Sequence, residues 1–227
     1  MMAGLFGLSL FSNAACAQDL NIKGDMGVFS QYMWRGMQAS PNASVQGDLG
    51  VDAGNGLSAN VWFAAPLGNV ASGGNATEFD FTVDYSGEVS GLSYSVGAIG
   101  YTYLNAASGN AAELYLGVGY GPASLTYYYA VSGSWKKDAY LDLGLSTSLF
   151  GFDLGADFGF YLPSRSAANP TAFPTTKNEL GHVDLSVSKD VDIAGVTMTP
   201  SLLMSIPTYT GKPKNANQFV AGLNFSY

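Results

Sequence analysis

Residues 152–161 read FDLGADFGFY, and in this stretch apolar residues alternate with acidic residues, glycine or tyrosine. Successive side chains of a β-strand point to opposite faces of the sheet. The stretch therefore predicts a strand with one apolar face, which carries Leu154 and Phe158, and one polar face, which carries Asp153 and Asp157.

The same period of two recurs along the chain and predicts twelve strands. They are predicted near residues 20–35, 43–53, 57–66, 77–86, 92–104, 111–121, 123–132, 138–149, 152–162, 181–189, 196–207 and 217–227. The fifth strand is the least regular, because its large apolar residues change parity between Val96 and Ile99. This change of parity predicts a β-bulge.

The predicted connections between strands alternate between short and long. The longer connections are residues 36–42, 67–76, 105–110, 133–137, 163–180 and 208–216. Bacterial outer-membrane barrels show this asymmetry, with tight periplasmic turns and longer external loops. The sequence therefore predicts an all-β fold, a transmembrane antiparallel up-and-down β-barrel of about twelve strands in the bacterial outer membrane. The even number of strands places both termini on the periplasmic side.

The composition of the 227-residue chain favours a membrane barrel over a soluble domain. Only 11% of its residues are charged, against roughly 25% in typical soluble proteins. A soluble β-sandwich would also have alternating strands, but it explains neither the alternating loop lengths nor the low content of charge. The net charge of −8 disfavours nucleic acid as a partner, because binding to phosphates needs clustered lysine and arginine.

The N-terminal segment has the features of a secretory signal. Residues 1–17 are predicted to be a signal peptide, because they are largely apolar and end in Ala15-Cys16-Ala17, and residues 18–227 are predicted to form the barrel. No lysine or arginine precedes the apolar stretch, which departs from the usual pattern of signal peptides. Lipidation of Cys16 is the alternative interpretation.

The C-terminal strand alternates to the last residue of the chain, which is Tyr227. This pattern resembles the terminal strand signal by which the bacterial barrel assembly machinery recognises outer-membrane barrels. The sequence therefore predicts two partners, the assembly machinery and outer-membrane lipid.

The polar faces of the predicted strands are strongly acidic, and in a barrel these faces line the lumen because the apolar faces meet lipid. Unpaired carboxylates are costly to bury in a dry core, so their number indicates water, cations or raised pKa values inside. An acid-lined wet lumen concentrates cations. The predicted pore-lining residues are Asp25, Arg35, Asp48, Asp52, Glu78, Asp80, Asp84, Glu113, Asp142, Asp153, Asp157 and Asp184.

Two states of this lumen are compatible with the sequence. One is a narrow wet pore, and the other is a plugged barrel in which the acids pair with tyrosine hydroxyls and amides. Arg35 is predicted near the external mouth, either as a positive charge opposing the acids or as an ion pair that locks the first loop. The predicted constriction lies at mid-height, at Asp48, Asp80, Asp142 and Asp157.

The sequence predicts no enzymatic activity, no cofactor and no metal site. A hydrolase would need a nucleophilic serine beside a histidine base. The only histidine is His182, and the residue two positions after it, on the same face of the strand, is Asp184 rather than a serine. A tightly bound metal would need several ligands in a suitable geometry. The chain also has no phosphate-binding glycine loop between a strand and a helix.

Several segments together resemble a known family. Residues 28–37 read VFSQYMWRGM, Val45-Gln46-Gly47 follows, and residues 113–117 read ELYLG. In their order and spacing, these segments resemble the TorF-type porin family, which was once catalogued as conserved proteobacterial proteins of unknown function. The resemblance implies an outer-membrane channel and carries over no catalytic or ligand-binding residue.

These observations predict an outer-membrane porin-like channel for passive diffusion of small solutes, with a preference for cations. The alternative is an occluded structural or binding barrel that acts through its external loops. The loop of residues 163–180 bears on this choice, because it would narrow or plug the pore if it folded inward and would form a recognition surface if it extended outward.

Overall fold

The computed structural model describes residues 20–68, 76–104, 106–164, 172–211 and 216–226 of the protein. The predicted signal peptide and Tyr227 lie outside the described residues. The strands are β1 (Asn21–Phe29), β2 (Tyr32–Trp34), β3 (Met37–Ser40), β4 (Ser44–Asp52), β5 (Leu57–Pro66), β6 (Glu78–Val89), β7 (Leu92–Tyr103), β8 (Ala111–Tyr120), β9 (Ala123–Ser132), β10 (Ala139–Leu149), β11 (Phe152–Leu162), β12 (Glu179–Ser188), β13 (Val191–Ile193), β14 (Val196–Pro207) and β15 (Gln218–Ser226). A 3₁₀ turn spans Ala107–Gly109. The described residues include no helix of the length and hydrophobicity needed to cross a membrane.

Twelve of these strands form one closed antiparallel barrel, which confirms the predicted all-β fold. From β4 to β12 each strand pairs with the next along the chain, and β14 then pairs with both β12 and β15. β1 pairs with β4 on one side and with β15 on the other, so the first and last strands close the barrel. Closure leaves no exposed sheet edge in the wall.

The connections at the two ends of the barrel differ in length, as the sequence predicts. At one end the strands are joined by tight turns such as Gly121-Pro122 and Phe150-Gly151. At the other end lie the longer connections, including the segment between β1 and β4 and the segment between β11 and β12. We call these the short-turn end and the long-loop end.

Apolar side chains cover the outside of the barrel. Leu49 is 56% exposed on the outer surface, whereas the adjacent Asp48 lines an interior cavity. Val83 is exposed to the same extent, while the adjacent Asp84 accepts a hydrogen bond from the Tyr115 hydroxyl of β8. This distribution is the reverse of that in a soluble protein, and it suits a wall surrounded by lipid.

The predicted first strand, residues 20–35, is longer than the observed one. β1 ends at Phe29, and β2 and β3 form a separate two-stranded sheet between β1 and β4. Tyr32 and Met33 are consecutive and are both buried. A wall strand exposes every second side chain to lipid, so two consecutive buried residues require protein on both faces, as the lumen provides.

The predicted bulge in the fifth strand was wrong. β7 pairs in continuous register with β6 and β8 from Leu92 onward. Ile99 and Tyr101 are buried on the inner face and pack against each other and Ala111. The parity of the large apolar residues changes because Val96 lies on the outer face, whereas Ile99 and Tyr101 lie on the inner face and pack inside the barrel. Register shifts occur instead between Ala112 and Glu113, and between Gly159 and Phe160.

Candidate pore lumen

The segment between β1 and β4 folds as a β-hairpin inside the barrel. We call residues 32–40, which form β2, the turn and β3, the lumen hairpin. A barrel of about eight strands is filled by its own side chains, whereas a wider barrel leaves space. With twelve strands, this barrel accommodates the lumen hairpin in that space.

A two-residue turn at Arg35 and Gly36 forms the tip of the lumen hairpin. Both residues have positive φ values, 48° and 71°, as type I′ hairpin turns require. Gly36 lies directly against the barrel wall, because a Cβ atom added there would overlap the imidazole ring of His182. Glycine at this position therefore serves both the turn geometry and the close approach to β12.

Arg35 forms a buried ion pair with the wall. Its Nη1 and Nη2 atoms donate to Oε1 and Oε2 of Glu113 at 2.9 and 2.6 Å, and both side chains are almost fully buried. The Tyr101 hydroxyl donates to the same carboxylate at 2.8 Å, and the Tyr161 hydroxyl donates to the Arg35 carbonyl at 2.7 Å. A two-point, charge-assisted contact of this kind is among the strongest polar interactions available to a protein.

Aromatic rings surround the guanidinium of Arg35. Its Cζ atom lies 4.7 Å from the ring centroid of Trp34, 4.8 Å from that of Tyr128 and 4.4 Å from that of Tyr140. Burial by itself would lower the pKa of the guanidinium, but Glu113 outweighs this effect and the pKa lies above its ordinary value. Arg35 is therefore a charged group held by one carboxylate and by the faces of several rings.

The described part of the loop between β11 and β12 folds inward over the lumen hairpin. Phe173 is buried and stacks on Tyr161, with ring centroids 4.5 Å apart, and on Trp34 at 6.5 Å. Tyr209, from the segment between β14 and β15, is also buried and contacts Tyr161. Residues 165–171 lie outside the described residues. In the part of this loop that the structure describes, Phe173 therefore lies inside the barrel.

A cavity of about 660 Å³ lies beside the lumen hairpin and extends to the short-turn end, where Gly121 and Pro122 line it. We call it the acid cavity. Its acidic lining residues are Asp25, Asp48, Asp153, Asp157, Asp184 and Asp190. Arg35 also lines it, so the tip of the lumen hairpin borders this space. Serine and threonine side chains complete much of the polar lining, as expected of a wet compartment.

The twelve predicted pore-lining residues fall into three groups. Those that line the acid cavity are Asp25, Arg35, Asp48, Asp153, Asp157 and Asp184. Those that are buried on the inner wall, away from this cavity, are Glu78, Asp80 and Glu113. Those that make separate polar contacts are Asp52 with the Gly54 amide, Asp84 with Tyr115, and Asp142 with Tyr140.

The predicted mid-height group is therefore divided by the fold. Asp48 and Asp157 line the acid cavity, and Asp48 accepts a hydrogen bond from the Asn60 amide. Asp80 is fully buried, and Asp142 lies beside the Tyr140 hydroxyl at 3.4 Å. The four carboxylates therefore have different surroundings, and the constriction at this height stays a prediction.

His182 is buried against the tip of the lumen hairpin. Its Nε2 atom lies 2.8 Å from the Tyr140 hydroxyl, and its Nδ1 atom lies 3.0 Å from Oδ1 of Asp184. The imidazole ring stacks on Tyr140 with an interplanar angle of 4°. Within the described part of the chain, no serine hydroxyl hydrogen-bonds to this histidine. No group of three or more potential metal ligands is found among the described residues.

A family model described as "Bacterial protein of unknown function (Gcw_chp)" matches residues 13–161. This chain belongs to the Gcw_chp family. The matched part includes the lumen hairpin and Glu113, so both partners of the buried ion pair lie within it. No curated protein matches the sequence.

The Gcw_chp chain is similar in fold to a solved structure described as the KdgM porin in complex with disordered oligogalacturonate. The two structures superpose with a TM-score of 0.55 and 10% sequence identity, over 91% of this chain and 98% of that chain. At this identity the likeness shows a shared barrel fold, which is the fold of a porin.

Reasoning from the sequence missed two aromatic residues at the lumen hairpin, Trp34 and Phe173. Two signals mark the hairpin. Arg35-Gly36 is a turn dipeptide at the end of the first predicted strand, and the apolar residues Tyr32, Met33 and Trp34 just before it occupy both parities. No local signal marks Phe173, because its partners are distant in sequence.

Proposed function

We propose that this Gcw_chp protein is a porin-like channel of the bacterial outer membrane that conducts small solutes and prefers cations. The observation that carries the proposal is the acid cavity inside a closed barrel with an apolar outer surface. Carboxylates along a confined aqueous path attract cations and repel anions, because the low-dielectric wall focuses their field.

The preferred solute is proposed to differ from that of the similar solved structure. KdgM was solved with oligogalacturonate, which is a chain of acidic sugars. In the barrel described here, the acid cavity carries six aspartates and only one arginine, Arg35, which Glu113 already pairs. An acidic oligosaccharide would meet repulsion in this cavity, so the proposal is restricted to cations and small neutral solutes.

The proposal includes the route by which the protein reaches the membrane. Residues 1–17 act as a signal peptide, and the terminal strand ending at Tyr227 is recognised by the barrel assembly machinery. The long-loop end then faces outward and the short-turn end faces the periplasm, as in other outer-membrane barrels. Membership of the TorF-type porins, which the segments around Arg35-Gly36 and Glu113 suggest, is part of the same proposal.

The lumen hairpin favours a second candidate function, that of an occluded binding or structural barrel. The hairpin tip is buried against the wall, and Phe173 packs over it from the long-loop end. If these contacts close the lumen completely, the external loops would be the functional surface.

Single-channel current across a planar bilayer with refolded protein distinguishes the two candidates. Under a gradient of potassium chloride, the channel is expected to give discrete conductance steps with a reversal potential that indicates cation preference. Anion preference would contradict the acid cavity as the selectivity element. A folded barrel without current would support the occluded alternative.

A further inference from the structure

The contacts of Arg35 define a guanidinium-binding site on the barrel wall. Glu113 supplies the carboxylate, and Tyr128 and Tyr140 supply ring faces within 5 Å of the guanidinium carbon. Tyr101 fixes the carboxylate by donating a hydrogen bond to Oε2. These four residues lie on the adjacent strands β7 to β10, whereas the cation they hold belongs to the tip of the lumen hairpin.

The wall therefore provides a carboxylate and two ring faces for a guanidinium group. Two parallel hydrogen bonds match a planar fork of donors to a carboxylate, and the flat faces of the same fork stack on aromatic rings. An ammonium group is a compact point charge and satisfies neither requirement fully. We call the group formed by Tyr101, Glu113, Tyr128 and Tyr140 the guanidinium site.

The guanidinium site borders a cavity through its occupant, whereas its four wall residues are not part of the cavity lining. Arg35 lines the acid cavity, so the guanidinium that occupies the site borders the space that the aspartates make attractive to cations. A cationic solute that enters from the short-turn end is concentrated by Asp157 and Asp184 close to this point. The occupant of the site is attached to a hairpin whose two-residue tip carries Arg35.

We propose that the guanidinium site binds free guanidinium-bearing solutes, and that Arg35 occupies it as a tethered competitor. This inference rests on the proposed channel function, because it names a class of solute for that channel. A free solute displaces Arg35 only at a high concentration, because a group on a short tether competes at an effective concentration of roughly millimolar or more. Displacement would release the tip of the lumen hairpin from the wall.

The test removes the tethered competitor with R35A and titrates the purified, refolded full-length protein with methylguanidinium chloride. Methylammonium chloride at equal ionic strength is the control cation, and R35A/E113Q is the control variant. Binding is followed by tryptophan fluorescence, because Trp34 and Trp135 lie 5.9 Å apart beside this site. The thermal unfolding midpoint is the second readout.

R35A is expected to saturate with methylguanidinium at a concentration about ten-fold lower than with methylammonium. The wild-type response is expected at higher concentrations, because Arg35 competes. The inference would be overturned if R35A saturated at the same concentration with both cations. It would also be overturned if R35A/E113Q responded to methylguanidinium as R35A does.

If R35A does not refold alone, it is refolded in the presence of each cation. Rescue by methylguanidinium but not by methylammonium supports the guanidinium site, whereas equal rescue or equal failure contradicts it. Binding is measured without current, so a barrel that binds methylguanidinium but is silent would contradict only the proposed channel.

Discussion

Arg35 and Glu113 are opposite charges that lie in a nearly water-free part of the molecule. Each makes the burial of the other tolerable, because an isolated buried charge has a large desolvation penalty. Their bidentate geometry and the hydrogen bond from Tyr101 satisfy most of the polar atoms of the pair. The pair joins the lumen hairpin to β8 across 78 residues of sequence.

Breaking this pair from one side is expected to destabilise the protein strongly. R35M and E113Q should each lower the free energy of unfolding by about 3–5 kcal/mol, because each leaves a buried charge without its partner. The double variant should lose clearly less than the sum of the two single losses. Urea unfolding of the barrel in lipid vesicles measures all three values.

A surface interaction provides the control for the comparison of R35M, E113Q and the double variant. Lys189 places its Nζ atom 5.1 Å from the ring centroid of Phe152 at an exposed position. K189M should therefore change the free energy of unfolding by less than about 1 kcal/mol. Additive losses in the R35M/E113Q double variant would show that the two side chains do not act as a pair.

Asp48 and Leu49 are adjacent residues that face opposite sides of the wall. L49K places a charge on the outer surface and should lower the free energy of unfolding by roughly 2–4 kcal/mol, because a lysine near the middle of a bilayer is poorly solvated. D48K should fold, since the cavity is large and is lined by other aspartates that can pair with the lysine, and it should weaken the proposed preference for cations.

Folding yield in lipid vesicles and the reversal potential under a salt gradient measure these two effects. The pair serves as its own control, because the substitutions introduce the same side chain at neighbouring positions of β4. Equal damage from D48K and L49K would contradict the assignment of the two faces.

The lumen hairpin is the element that distinguishes this barrel from an empty one. Wall strands β1 and β4 pair with each other over nine residues without any contribution from the lumen hairpin. Tyr32 contacts Trp62, with ring centroids 5.5 Å apart, and Met33 packs with Phe29 and Val220. These contacts hold the lumen hairpin against the inner wall, while the closed ladder of wall strands maintains the barrel.

Replacing residues 31–40 with a short glycine-serine linker should therefore preserve the barrel and enlarge the pore. We expect a higher single-channel conductance than that of the wild type and an unchanged far-UV circular dichroism spectrum. The control is a variant in which the connection containing the 3₁₀ turn at Ala107–Gly109 is shortened. Unchanged conductance after removal of the lumen hairpin would show that another element blocks the path.

Element boundaries follow from the sequence where one face of a strand meets lipid. The predicted strand of residues 152–162 coincides with β11, because alternation between lipid and lumen is strict there. The prediction failed at residues 30–35, because the side chains on both faces of the lumen hairpin are buried by protein. It also assigned a bulge near Ile99, because large residues on the inner face of β7 imitate a change of parity.

At the scale of the whole molecule, the barrel depends on pairing between its first and last strands. In β1 and β15, Asp25 lies opposite Ser226 and Val28 lies opposite Leu223. Residues that start and end the described chain therefore meet in one ladder, so the barrel closes only when β15 has been made. The proposed recognition of the C-terminal strand by the assembly machinery suits this requirement.

Deleting Tyr227 is expected to lower the amount of barrel assembled in the outer membrane of cells, because it removes the terminal aromatic residue of the proposed signal. Refolding of the purified variant into detergent should remain normal, since the pairs described between β1 and β15, from Asp25 with Ser226 to Phe29 with Gly222, are all retained. Membrane fractionation and in vitro refolding yield measure the two outcomes. Normal assembly in cells would contradict the proposed signal.

The sequence by itself determined the class of fold and the number of wall strands, and it placed Asp48 and Asp157 on the inner face. It did so because a lipid-facing barrel imposes a local rule: each residue either meets lipid or does not, and the answer alternates with a period of two. The acidic inner face, exemplified by Asp48 and Asp157, follows from the same rule.

The tertiary structure alone decided what occupies the lumen. The pairing of Arg35 with Glu113, the packing of Phe173 on Trp34 and the separation of the acid cavity from the buried Asp80 join residues far apart in the chain. Contacts of this kind depend on barrel diameter and on the route of the lumen hairpin. Neither quantity is encoded in a local period, because both arise only when twelve strands close.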